Sequence, residues 1–433
     1  MIWYLIYNLL LILILLLFTP VLLYKTLIKG RYREGFGERL GFLPSKIRRW
    51  QKEDIIWIHA ASVGETVAAS SLVSELSAEY PECKILFSTI TDTGRNMARK
   101  SIDQADAIIY FPLDFPWIVN RVLEKIKPEL IIMIETELWP NFLKTAKKFD
   151  CKTMVASGRI SDSSLKSYKY FKPLLKRVLD NIDIFSMQSA QDVDHILELG
   201  AKEERVYNNG NIKFDQDYAE GNLELRNELY DKFKLSPKQP IVVMGSTHDD
   251  EEKQLIAVYK HLKDEFPELV MILAPRYIKR KEEIETLYQQ EGINVVRRTE
   301  IEQREQESVI LLDTIGELAQ IYSIADLVFI GGSLIKRGGH NILEPAAHGK
   351  LVFFGPHMFN FKDNTRMVLE HGVGIQVKDA DELAEEMLYY LQNQEKLEVK
   401  DRQARQMIES NKGAAKRNIE LAAKLIGVES YEG

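Results

Sequence analysis

The chain has 433 residues, 45% hydrophobic and 28% charged, with a formal net charge of −7. That length exceeds a single compact core and predicts two domains, and the acidic balance excludes a general nucleic-acid binder. Cys83 and Cys151 are the only cysteines; neither has a partner at metal-ligand spacing, and a disulfide framework is not expected.

The first 24 residues, "MIWYLIYNLLLILILLLFTPVLLY", carry no charged side chain. As a helix they are long enough to span a hydrocarbon core of about 30 Å. A cleaved signal peptide would carry basic residues before the apolar run and a small-residue cleavage site after it. Here the basic residues follow. Residues 25–50 hold Lys25, Lys29, Arg31, Arg33, Arg39, Lys46, Arg48 and Arg49 against Glu34 and Glu38. That order predicts a membrane anchor with the rest of the chain on the cytoplasmic side. A helix lying in the interface is the alternative, and in either case the basic residues can meet anionic headgroups.

From residue 54 the pattern becomes strand, loop, helix. "DIIWIHAAS", "CKILFSTIT", "ADAIIYF", "LIIMIET", "CKTMVASG" and "IDIFSMQSA" form one series, and "IVVMGST", "LVMILAPR", "INVVRR", "SVILLDT", "LVFIGGS" and "LVFFGP" a second. Runs apolar on both faces read as parallel strands covered by helices. The polar stretch near 215–225, followed by Pro237 and Pro240, marks a junction. The expected layout is an anchor helix over 1–24, a basic juxtamembrane segment over 25–53, Rossmann-like domains over 54–222 and 223–405, and a carboxyl-terminal helix over 406–433. Such domains bind ligands at the carboxyl ends of their strands, so the expectation is α/β domains facing a cleft.

The polar motifs fall at those strand ends. "WIHAASVGET" places Glu65 on a loop where a strand meets a helix. A carboxylate there suits a general base, or a helix amino-terminal acid favoured by the dipole; with an ordinary pKa of about 4.3 it needs no tuning to be ionised at neutral pH. "ETELWPN" offers Glu135 and Glu137, "ASGRIS" offers Ser157 and Arg159, and "GNIKFD" places Lys213 near the junction. In the second series, Gly331, Gly332, Gly338 and Gly339 precede a helix expected near Asn341. Free amides at such a helix start can bind an anion, and Glu344 on its first turn can accept ribose hydroxyls. "MILAPR" ends in Pro275 and Arg276, and an arginine there can pair with phosphate. Gly316 marks another helix start. His59, His248, His340, His348 and His357 are scattered, with no metal-binding, Walker or nucleophile-elbow motif.

Taken in order, "SVGE", "ETELWPN", "GNIKFD", "APR" and "GGHNILEPAAHG", behind an apolar amino-terminal anchor, closely resemble the 3-deoxy-D-manno-octulosonic acid (Kdo) transferases of lipopolysaccharide synthesis. The resemblance covers about residues 1–425. It implies a GT-B fold, CMP-Kdo as donor, a lipid A precursor (lipid IVA) as acceptor, and work at the cytoplasmic face of the bacterial inner membrane, without a metal or other cofactor. It also implies roles: Glu65 as general base, Glu137 and Lys213 in transition-state stabilisation, and Pro275, Arg276, Ile315, Gly316, Glu317, Asn341, Ile342, Leu343 and Glu344 in CMP binding. Two other functions fit the residues less fully, a UDP-sugar-dependent GT-B lipid glycosyltransferase and a non-catalytic membrane-anchored binding protein. Neither requires "SVGE" together with "ETELWPN".

Overall fold

Strands apolar on both faces must be covered on both faces, and the first series does this by alternation. Trp57 faces one layer with Leu86, Ile131, Met133 and Val155, while Ile56 and Ile58 face the other with Ile85, Phe87, Ile132 and Ile134. The computed structural model describes residues 2–23, 35–50, 53–215 and 223–427. Lys25, Lys29, Arg31 and Arg33 of the basic segment, and residues 216–222 of the expected junction, lie outside the described residues.

The chain divides into two compact units, Met1–Gln216 with Asn411–Gly433, and Asp217–Ser410. The first holds a parallel sheet of β1 (Ile55–His59), β2 (Lys84–Thr89), β3 (Ala107–Tyr110), β4 (Leu130–Ile134), β5 (Lys152–Gly158), β6 (Ile184–Met187) and β7 (Val206–Asn208). Its order is β3-β2-β1-β4-β5-β6-β7. The second holds β8 (Ile241–Thr247), β9 (Val270–Pro275), β10 (Val295–Arg297), β11 (Val309–Leu311), β12 (Leu327–Ile330), β13 (Val352–Phe354) and β14 (Gly374–Gln376). Its order is β10-β11-β9-β8-β12-β13-β14, also parallel throughout. Each sheet has one strand more than the sequence predicts. β7 and β14 are edge strands of three residues, too short and too polar to show as apolar runs.

The carboxyl-terminal stretch expected as one helix over 406–433 falls, within the described residues, into the end of one helix and the whole of another. Gly413, at φ 85°, separates Gln394–Asn411 from Ala414–Ile426. The last helix belongs to the first unit: the Asp215 carboxylate accepts the Gly413 and Ala415 amides at 2.5 Å each, and Ile419, Leu421 and Ala422 join one face of the first sheet. The amino-terminal helix Ile2–Leu23 packs its first turns on the same unit. From Ile12 to Phe18 every one of its side chains is exposed.

Candidate active site

A parallel sheet leaves a crevice where the connections reverse direction. In the first unit that point lies between β1 and β4. The segment after β1 carries Glu65 and the segment after β4 carries Glu135 and Glu137, so the topology brings these carboxylates to one edge.

Glu65 is not the last residue of a loop. The helix Val63–Glu79 begins two residues earlier, with Ser62 as its N-cap. Ser62 Oγ accepts the Glu65 amide at 3.3 Å and donates to Glu65 Oε1 at 2.7 Å, and the Ala61 amide donates to Oε2 at 2.7 Å. This is a variant of the capping box, the carboxylate reaching back to the Ala61 amide and the Ser62 hydroxyl so that both its oxygens are engaged. The side chain is buried. Its carboxyl is pushed above the ordinary range by burial and then by the Glu135 charge, against the Ser62 and Ala61 hydrogen bonds and Lys213. The untuned carboxylate expected from sequence is therefore tuned, because the fold seats it in a desolvated, acid-rich corner.

β4 stops at Ile134 because Glu135 turns left-handed, with φ 58°. Strand alternation therefore does not carry past Ile134 to set Glu135 and Glu137 on one face. Both nevertheless line one cavity of about 180 Å³ with Thr136, Arg159, Ser164 and Tyr168. Lys213 Nζ lies 2.8 Å from Glu135 Oε1. Glu137 accepts Trp139 Nε1 at 3.0 Å. Burial and the Glu65 charge, with a smaller push from Glu135, raise its carboxyl to about 7. The turn carrying Lys213 is tied to the end of β5: Asn211 Oδ1 accepts the Lys213 amide at 2.9 Å, and Ser157 Oγ accepts the Ile212 amide at 3.4 Å. Glu65, Glu137 and Lys213 thus share one electrostatic site. Glu135 is the member that the role assignments left out; a second carboxylate at the end of an apolar strand was its only sequence signal.

In the second unit the reversal lies between β8 and β12. The amides following β12 are not free. The Glu251 carboxylate, fully buried, accepts Gly332 N at 2.6 Å, Ser333 N at 3.0 Å, Leu334 N at 3.0 Å and His248 N at 3.1 Å. Glu251 supplies the anion that this part of the glycine loop would otherwise seek, and nothing in the sequence marked it. Gly338 and Gly339, at φ 95° and 74°, remain as the close-approach positions. A Cβ there would collide with Asn360 Nδ2 and with Met358 Sδ. The following helix is short, Leu343–Ala347, with Asn341 Oδ1 accepting the Leu343 amide at 3.1 Å.

Glu344 lies on that helix's first turn. Burial raises its carboxyl, and it accepts no hydrogen bond among the described residues. That leaves it ready for hydroxyl donors. Pro275 ends β9, and the exposed Arg276 is fixed by its amide, which donates to Thr247 O at 2.8 Å. Beside it His248 and His340 stack with Nε2 atoms 2.8 Å apart. Burial, then Arg276 and His248, lower His340 to about 4. Ile315 is exposed and Gly316 left-handed at φ 92°. The Glu317 carboxylate is already held by Lys232 at 2.5 Å, Arg298 at 3.2 Å and Thr314. Burial would raise it, but these partners keep it below the ordinary range. What Ile315–Glu317 can offer a ligand is backbone and an apolar surface.

The chain matches the family described as 3-Deoxy-D-manno-octulosonic-acid transferase (kdotransferase) over residues 34–216. A 3-deoxy-D-manno-octulosonic acid transferase of Haemophilus influenzae is 33% identical over 393 residues, covering 90% of this chain and 91% of that protein. A bifunctional glycosyltransferase/methyltransferase of Fusobacterium nucleatum subsp. nucleatum is 36% identical over 365 residues. That match covers 83% of this chain but only 56% of the relative's length. A solved glycosyltransferase structure from Rickettsia africae is 14% identical, covers 87% of this chain and 99% of its own, and superposes with a TM-score of 0.52. That likeness is one of fold, the α/β GT-B architecture. With a third of its residues shared along nearly the whole of the Haemophilus influenzae enzyme, the chain belongs to the 3-deoxy-D-manno-octulosonic acid transferase family of glycosyltransferases.

Proposed function

We propose that the chain transfers Kdo from CMP-Kdo to a hydroxyl of a lipid A precursor, releasing CMP, at the cytoplasmic face of the bacterial inner membrane. The acceptor hydroxyl attacks the anomeric carbon. The new C–O bond forms as the bond to the CMP phosphate breaks, CMP leaves with the electron pair, and the hydroxyl proton passes to Glu65. Direct displacement inverts the anomeric centre. The observation that carries this reading is the carboxylate cluster at the β1/β4 crevice, where Glu65 lies beside Glu135, Glu137 and Lys213.

Each group has a physical task. Burial raises the proton affinity of Glu65, which strengthens its carboxylate as a base. To act, it releases the Ser62 hydroxyl or the Ala61 amide in favour of the acceptor. Glu137, with its carboxyl near 7, is protonated in a large fraction of molecules and can donate to developing charge. Lys213 offsets the donor's carboxylate. In the second unit, Arg276 and the backbone around Gly338–Asn341 face the CMP phosphate, and Glu344 takes the ribose hydroxyls. Pro275, Ile315, Gly316, Glu317, Ile342 and Leu343 shape that donor site. Of these groups, Arg276 and the backbone amides offset the phosphate charge.

The test is a turnover assay with purified protein, CMP-Kdo and a tetraacylated lipid A precursor, products counted by mass spectrometry. Glu65→Ala is expected to slow transfer by about 10²–10⁴-fold while calorimetric binding of CMP stays as in the wild type. Turnover of the variant near the wild-type rate removes Glu65 from the role of base.

A further inference from the structure

The amino-terminal helix is not a free tether. Its first turns present one stripe, Trp3, Tyr4, Tyr7, Asn8 and Leu11, to the first unit, while Ile2, Leu5, Ile6, Leu9 and Leu10 stay exposed. Three polar contacts lock that stripe. Tyr7 Oη donates to Asp114 Oδ2 at 2.9 Å. Asn8 Oδ1 accepts Asn141 Nδ2 at 2.7 Å. Tyr4 Oη accepts Asn181 Nδ2 at 3.3 Å, and the Lys144 ammonium sits 4.6 Å from the Tyr4 ring centre. Asp114 is itself buried and accepts the Asn141 and Phe142 amides, at 3.0 and 2.7 Å, at the start of the helix Pro140–Lys148. Polar side chains in an otherwise apolar helix are costly in hydrocarbon. Here they have protein partners instead.

Two consequences follow. Asn141 stands four residues after Glu137, and Trp139 between them donates to Glu137. The helix is therefore fastened to the same strand-end segment that carries the carboxylate cluster. Secondly, the docked first turns leave only the rest of the helix for lipid. Residues 4–8 are docked on the folded unit, and the charged residues Lys25, Lys29, Arg31 and Arg33 follow its far end in sequence. Between them, Ile12–Phe18 are exposed in every direction. A partner helix would need only one stripe, whereas a segment apolar all round is suited to lipid.

We propose that the amino-terminal helix is a monotopic anchor that dips into one leaflet without crossing, and that its docked first turns hold the Glu65/Glu137 edge against the lipid surface where the acceptor lies. The anchoring geometry stands independently of the reaction; its link to the acceptor rests on the proposed function.

The test has separable arms, all on the full-length protein. In a Cys83→Ser/Cys151→Ser background, Asn8→Cys with Asn141→Cys is expected to form an intramolecular cross-link with a short bifunctional thiol reagent in membranes. Ile2→Cys in that background is expected to resist a membrane-impermeant maleimide added outside intact spheroplasts. Labelling of Ile2→Cys from outside, or two reactive thiols that never cross-link, overturns the monotopic anchor whether or not the protein transfers Kdo. In the activity arm, Tyr7→Phe with Asn8→Leu keeps the apolar segment. It is expected to lower kcat/KM about tenfold for acceptor in bilayers and to leave it unchanged for detergent-dispersed acceptor. An equal fall in both assays, or no fall in either, overturns the positioning role.

Discussion

Lys213 Nζ lies 2.8 Å from the Glu135 carboxylate, a contact spanning 78 positions of chain. It sets one cation among three carboxylates, Glu65, Glu135 and Glu137, whose charges oppose one another. Removing that cation should therefore act on the whole group. Lys213→Met is expected to cut turnover by about 10²-fold or more and to move the acid limb of the kcat/KM–pH profile to higher pH. The sign follows because loss of a positive charge raises carboxylate pKa values, and a base must be deprotonated to work. An acid limb left in place would separate Lys213 from Glu65.

Glu137 supplies a stability test. Its folded carboxyl stands near 7, above the value it has in the unfolded chain. The folded state therefore holds that proton more tightly. The resulting stabilisation is complete below the unfolded pKa and is lost as pH rises towards 7. Glu137→Gln stays neutral throughout. Its Tm relative to wild type is expected to rise between pH 5 and pH 8, measured by thermal melts in one buffer series. A constant difference across that range would contradict the buried, raised carboxyl.

Glu251 occupies four backbone amides around the β8/β12 reversal. Glu251→Ala leaves those donors buried and unmet, and is expected to cost about 3 kcal/mol or more in urea unfolding. Where the variant folds, the loop Gly331–Leu334 loses its template and CMP affinity should fall with it. A variant as stable as wild type would show that the loop is held by other means.

Among the acids of the proposed donor site, Glu344 and Glu317 should behave differently. Glu344 accepts no hydrogen bond among the described residues, whereas Glu317 is held by Lys232, Arg298 and Thr314. Glu344→Ala and Arg276→Ala are each expected to weaken CMP binding about tenfold, roughly 1.4 kcal/mol, with little change in stability. Glu317→Ala is expected mainly to lower Tm. Calorimetry with CMP beside thermal melts separates the two classes; unchanged affinity in both Glu344→Ala and Arg276→Ala would remove the nucleotide site from the second unit.

What sequence alone determined follows from short-range rules. Apolar runs such as "IIWIH" and "LIIMI" had to become strands covered on both faces, and the motifs at their ends had to reach the carboxyl edge of a parallel sheet. The α/β class, the Kdo transferase resemblance and an uncharged amino-terminal helix were legible for that reason. The tertiary structure decided what depends on residues far apart in the chain. β7 and β14 exist only because a neighbouring strand offers them hydrogen bonds. Glu65 and Glu137 are raised because the fold buries them together, which no local window shows. Glu251 reaches a loop more than 80 positions away, and Tyr7 and Asn8 meet Asp114 and Asn141 across more than 100. Hydrogen-bond partners and desolvation are properties of the assembled chain, so the same glutamate can be a cap, a base or a loop template until the fold chooses its neighbours.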